Sequence, residues 1–367
     1  MNIPGWPVAD ERELELLKEV LESERWGGYH PFVNRFERSF AEFHSCRYGI
    51  AAANGTITLE MALEAAGVRP GDEVIVPAIS FVATASAVSR LGAIPVFVDI
   101  EEDTYNIDPE CVSRALAPRV KAIIAVHFGG PMADMDRLCR IASENGLLLL
   151  EDAAHAHGSE WNGRRAGSIG VAGSFSFQNS KVMTSGEGGI LISNDEAFSD
   201  RARSILDQGR KKDGGWFYHY ELGTNYRITG FQAAVLIAQL ERLPEQNRRR
   251  ERNASLIREA LAGERDICFR HVPREAGVHT NYLLLGRVRN RDAFHQAVNS
   301  GGVPCTAFYP HTLYRNPMYS RVECRIEPCP VAEARVRDSF WLPHRTLLGN
   351  EEDSCAIAEV LQRALAA

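Results

Sequence analysis

The sequence predicts an α/β protein in which a mostly parallel sheet is wrapped by helices and followed by a smaller carboxy-terminal α+β unit. Three observations carry this expectation. From residue 48 onward, short apolar runs alternate with amphipathic helical stretches, the pattern of strand–helix–strand units. Residues 147–150 are four consecutive leucines, as in a strand covered on both faces. The chain has 367 residues, 45% hydrophobic and 24% charged, which suits a large core and exceeds one ordinary domain.

Taken in order, residues 9–24 place Leu14, Leu17, Val20 and Leu21 at helical spacing. A glycine-aromatic loop, Trp26-Gly27-Gly28-Tyr29-His30-Pro31, leads to a second amphipathic helix over 32–43. The alternation then reads strand 48–53, helix 55–66, strand 73–77, helix 81–91, strand 95–98, helix 108–116, strand 122–127, helix 134–145 and the leucine strand. Residues 161–167 look like a hairpin turn, and 190–193 like a strand followed by a helix over 196–208. An aromatic loop at 214–220 precedes a helix over 229–242, and a separate charged helix begins near Pro244. Its run Asn247-Arg248-Arg249-Arg250-Glu251-Arg252 reads as a solvated face. Strand 279–287, helix 291–301, helix 330–339, strand 340–342 and helix 351–366 complete the second unit. The pattern change divides the chain into a large domain, 1–245, and a small one, 246–367.

Composition narrows the function. A formal net charge of -7 argues against a nucleic-acid partner. No apolar run approaches membrane-spanning length, and the first residues lack a signal pattern. The eight cysteines are scattered without a CxxC pair, so metal and disulfide roles are not expected and a reducing cytoplasm fits.

Ligands of parallel sheets bind beyond the carboxyl ends of the strands, so the residues there were read for chemistry. After the first strand, Asn54-Gly55-Thr56 opens directly into a helix whose free N–H groups can cradle a phosphate, although the same residues make an ordinary turn and cap. No P-loop and no GxGxxG follows any strand. Phe81 stands at the mouth of the sheet, where a flat ring can stack on a planar cofactor or simply join the core. Asp152 follows the leucines at a dry rim, where a carboxylate needs a cation such as a protonated ring nitrogen; capping a helix is its plainer role. With His155 and His157 it raises a metal site, but a fourth ligand is missing. Lys181 lies between an alternating Ser174-Phe175-Ser176-Phe177 strand and Gly186, Gly188 and Gly189. Desolvation favours the neutral amine that carbonyl chemistry needs, while a surface lysine on a loop is the plainer alternative. Phosphate cradle, stacking ring, counter-charge and amine, in this order, are the parts that pyridoxal phosphate requires.

These motifs, with Val126-His127, Asn225-Tyr226-Arg227 and Gln232-Ala233-Ala234, resemble the DegT/DnrJ/EryC1/StrS family of sugar aminotransferases over nearly the whole chain. The resemblance implies an aspartate-aminotransferase-like type I fold and pyridoxal 5'-phosphate as cofactor. It implies that Lys181 is the Schiff-base lysine, that Asp152 pairs with the pyridinium and that Phe81 stacks on the ring. Gly55, Thr56 and Ser176 would bind the phosphate, and Asn225 would reach the cofactor of a neighbouring subunit in a homodimer. By the same resemblance His155 would bind the cofactor near its 3'-oxygen, where many relatives carry glutamine and a histidine can still donate. Residues 177–184 and 341–349 look closest to the glutamine-dependent scyllo-inosose aminotransferases and to 3-amino-5-hydroxybenzoate synthase, with His344 and Arg345 as candidate substrate contacts. The expected reaction moves an amino group from glutamine or glutamate to a keto-cyclitol or keto-sugar. The alternatives are amination with aromatisation to an aminobenzoate, a nucleotide-keto-sugar acceptor, and a cofactor-binding regulator without turnover.

Overall fold

The computed structural model describes residues 1–366. Eight strands form one sheet in the order Tyr48–Ala52, Gly189–Ser193, Ala172–Ser176, Leu148–Asp152, Val120–Val126, Glu73–Pro77, Ile94–Val98 and Arg325–Ile326. Gly189–Ser193 alone runs against its neighbours; the other pairings are parallel. The expected mostly parallel sheet is therefore present. Its strands are buried on both faces, which is why they appear in the sequence as continuous apolar runs. No helix among the described residues is long and apolar enough to cross a membrane.

The reversed strand shapes the site. It places Gly189 opposite both Ala52 and Ser176, so three chain segments meet at the edge where the parallel strands end. The next pairings set Asp152 beside Ser174 and Val126 beside Asp152. Residues far apart in sequence thus share one rim.

The sequence suggested a break near Pro244, but a single 31-residue helix, Gly230–Ala260, runs through it. Proline removes one N–H from the helical ladder. Tertiary packing overrides this local signal: the first half lies against Glu11–Glu22 and Pro31–Phe43, the second against Glu351–Leu365. A capping box between Thr229 and Gln232 fixes its start. The charged run also differs from the expected solvated face, because Arg250 is fully buried.

A second, antiparallel sheet joins Ile267–Phe269, Leu283–Val288, Ser339–Pro343 and Thr306–Ala307. Ile257, Leu284, Val298, Phe340, Leu342 and Leu361 fill its core. Position 245 lies inside the long helix, and Arg325–Ile326 adds a strand to the large sheet. We propose the two sheets, rather than a break in the chain, as the marks of a large and a small domain.

Candidate active site

Glycines at the rim let chain segments approach closely. A Cβ on Gly55 would stand 2.7 Å from Ser176 Cβ, and one on Gly189 would stand 2.5 Å from the Asn54 carbonyl carbon. Only glycine permits this approach. Asn54 Oδ1 accepts from the Ile57 N–H (3.0 Å), leaving the amides of Gly55 and Thr56 at the first turn of Gly55–Ala65. The structure therefore brings Gly55, Thr56 and Ser176 together.

Alternation along Leu148–Asp152 sends consecutive carboxylates to opposite faces. Glu151 accepts from the amides of Gly167, Ile169 and Gly170 and meets His127 Nε2 at 2.9 Å. Burial works against its charge, yet His127 and these amides outweigh it and hold the pKa below the usual range. Asp152 has a different environment. It accepts from Thr84 Oγ1 (2.7 Å) and the Ala154 N–H (3.3 Å), and Thr84 is itself paired with Ser80. It is only 6% exposed, and no cation among the described residues lies in salt-bridge range. A buried carboxylate of this kind suits a ligand that brings positive charge. Phe81, 57% exposed, occupies the same turn, because the Thr84 N–H donates to its carbonyl (3.2 Å).

Lys181 is buried on the arch between Ala172–Ser176 and Gly189–Ser193. Its Nζ lies 4.9 Å from the centre of the Tyr282 ring. Tyr282 stacks on His155 (4.2 Å between centroids) and on His344 (5.8 Å). His155 Nδ1 accepts from the Gly129 N–H (3.1 Å), which puts the proton of the neutral ring on Nε2. Burial, with the nearby Lys181, holds its pKa well below the usual range and keeps the ring neutral. Nε2–H is then a donor for a bound group.

The remaining candidates lie elsewhere. His344, expected at the substrate, is buried behind the lysine arch with Nε2 on Ser180 O (3.0 Å). Arg345 is half-buried beside it, and Asn225 is exposed ahead of the long helix. Nothing local in the sequence marks Thr84, Tyr282 or Trp6, whose partners are 68, 102 and 173 residues away. Among the described residues, no group of three or more His, Cys, Asp or Glu is placed to hold a metal ion.

A mostly parallel sheet with one reversed strand, carrying a lysine arch at its ligand-binding edge, is the architecture of the type I pyridoxal-phosphate transferase fold. The chain belongs to the DegT/DnrJ/EryC1/StrS aminotransferase family, which it matches over residues 7–361. It is 38% identical to 3-amino-5-hydroxybenzoate synthase of Amycolatopsis mediterranei, covering 100% of this chain and 98% of the relative. It is 37% identical to L-glutamine:2-deoxy-scyllo-inosose aminotransferase of Micromonospora echinospora, covering 99% and 94%. A crystal structure of 3-amino-5-hydroxybenzoic acid synthase superposes with a TM-score of 0.95 at 37% identity, covering 100% of this chain and 99% of that one.

Proposed function

We propose that this aminotransferase moves an amino group from glutamine or glutamate to the ketone carbon of a keto-cyclitol or related keto-sugar, using pyridoxal phosphate. The carrying observation is Asp152, a buried carboxylate with no cation in range among the described residues, near the arch that holds Lys181. When bound, the cofactor supplies an aldehyde and an electron-accepting ring. Asp152 would keep a proton on the ring nitrogen, and Thr84 would fix the carboxylate's orientation. The amides of Gly55 and Thr56, with the Ser176 hydroxyl, would take the phosphate at the positive end of their helix. Phe81 would cover one face of the ring, and His155 would donate from Nε2 to its phenolic oxygen. Lys181 Nζ would hold the cofactor's aldehyde carbon and, once released, carry a proton to and from the substrate carbon.

Borohydride reduction, digestion and mass measurement test this reading. The cofactor's mass should appear on the peptide containing Lys181; its absence there would refute the assignment. Presenting ketones with glutamine or glutamate then identifies donor and acceptor. The relative named 3-amino-5-hydroxybenzoate synthase favours a second acceptor class, a cyclic ketone that aromatises after amination, and product masses separate the two.

We also infer a homodimer with shared sites. Phe217 and Leu222 are 85% and 88% exposed, beside exposed Trp216 and Tyr218, on the segment leading to Asn225. Such an apolar stretch suits a second copy, across which Asn225 would reach the neighbouring cofactor's phosphate.

A further inference from the structure

Lys181 Nζ has no hydrogen-bond or salt-bridge partner among the described residues and lies over the Tyr282 ring. Its position therefore depends on the backbone of the arch, whose residues Asn179 and Ser180 are exposed. Within the arch, Lys181 N–H donates to Gln178 O (2.8 Å), and Gln178 Oε1 accepts from the Ser180 amide (2.8 Å). Three carbonyls around the lysine are tied from outside. Trp6 Nε1 donates to Asn179 O (2.9 Å), His344 Nε2 to Ser180 O (3.0 Å), and Arg250 Nη2 to Val182 O (3.4 Å).

The three donors also pack on one another. The Trp6 ring stands edge-on to His344 at 4.5 Å and 89°, and the Arg250 guanidinium lies 5.7 Å from the centre of the Trp6 ring. Ser180 O is an obligate acceptor, so His344 carries its proton on Nε2; Nδ1 is buried without a partner. Arg250 is fully buried with no carboxylate in range among the described residues, and is held by Asn247 Oδ1 (2.8 Å) and Gln246 Oε1 (3.3 Å). A buried cation of this kind is costly, and a purely structural need would be met more cheaply by an apolar side chain.

We propose that Trp6, His344 and Arg250 form a clamp that positions the arch, so that the amino-terminal segment and the small domain together set where Lys181 Nζ stands. These are positioning residues; the inference rests on Lys181 being the reactive amine. It assigns His344 a role behind the lysine rather than at the substrate.

The test compares full-length Trp6→Phe, His344→Leu, His344→Gln and Lys181→Ala with the parent. The readout is the rate at which added pyridoxal phosphate becomes fixed to Lys181, trapped by borohydride and followed by mass, alongside kcat and KM for the donor. Trp6→Phe keeps the ring but loses the N–H, and His344→Leu loses the donor. Each should slow fixation about fivefold to tenfold, the size of one neutral hydrogen bond, with kcat falling and donor KM nearly constant. His344→Gln places an amide near the Nε2 position and should stay within about twofold of the parent, a rescue that packing alone does not give. Parent-like fixation in Trp6→Phe overturns the clamp, as does equal slowing in the Leu and Gln variants. Should His344→Leu fail to fold, Trp6→Phe alone decides, because Trp6 is half-buried on a terminal segment. Fixation at another amine in Lys181→Ala would overturn the underlying assignment instead.

Discussion

Asp152→Asn tests the counter-charge with little change of shape. Thr84 Oγ1 can still donate to an amide oxygen at the 2.7 Å contact, so the side chain keeps its place. What disappears is the negative charge proposed to face a ring nitrogen. Two unit charges about 4 Å apart attract by about 4 kcal/mol at an effective dielectric of about 20. If that attraction acts mainly after the ring has taken up electron density, its loss slows the donor half-reaction about a thousandfold. Stopped-flow absorbance with saturating glutamine measures this directly. The cofactor-free protein should respond oppositely: Asp152 is buried with no cation in range among the described residues, so the neutral amide should raise its stability by roughly 1 kcal/mol. The added stability on binding cofactor should shrink accordingly. A half-reaction within tenfold of the parent would refute the reasoning, whatever the stability does.

Gly55→Ala should weaken cofactor binding at least about tenfold in a fluorescence titration, because its Cβ would fall 2.7 Å from Ser176 Cβ and close the cradle. His44, whose Nδ1 lies 2.7 Å from Ala166 O, is pushed by burial down to about 3. The unfolded chain takes up this proton near pH 6.5, so the stability it protects is complete above that value and is lost as pH falls towards 3. In chemical denaturation between pH 6 and 4, His44→Gln should reduce the pH slope by about 1.4 kcal/mol per pH unit, one proton's worth. The double change Phe217→Asp and Leu222→Asp should leave the circular dichroism spectrum unchanged while shifting light-scattering mass from dimer to monomer; an unchanged dimer would remove the proposed interface.

The sheet was legible because its chemistry is local: strands buried on both faces must be apolar throughout, as 147–150 are. Gly55 and Asp152 drew notice because each is a tiny or polar residue at the end of an apolar strand, and Lys181 because it lies between an alternating strand pattern and a glycine cluster. The helix through Pro244 was misread because the breaking signal is local while the packing that overrides it comes from helices near both ends of the chain. Arg250 was hidden among solvated arginines, and no spacing rule marks which one turns inward. Trp6 and Tyr282 carry their meaning only through contacts 173 and 102 residues away.

The reversed strand Gly189–Ser193 has a consequence for how such a site can change. Ser176 and Gly189 pair directly, so the span between them is an arch with both feet in the sheet, whereas the segments after Tyr48–Ala52, Glu73–Pro77 and Val120–Val126 lead into helices. A residue inserted or exchanged on that arch shifts the amine against the side chains tied to it, and leaves the close approach of Gly55 to Ser176 where it was. On the proposed function, anchorage and reactivity are therefore carried by separate parts: the sheet edge would fix where a cofactor is held, and the arch what is done with it.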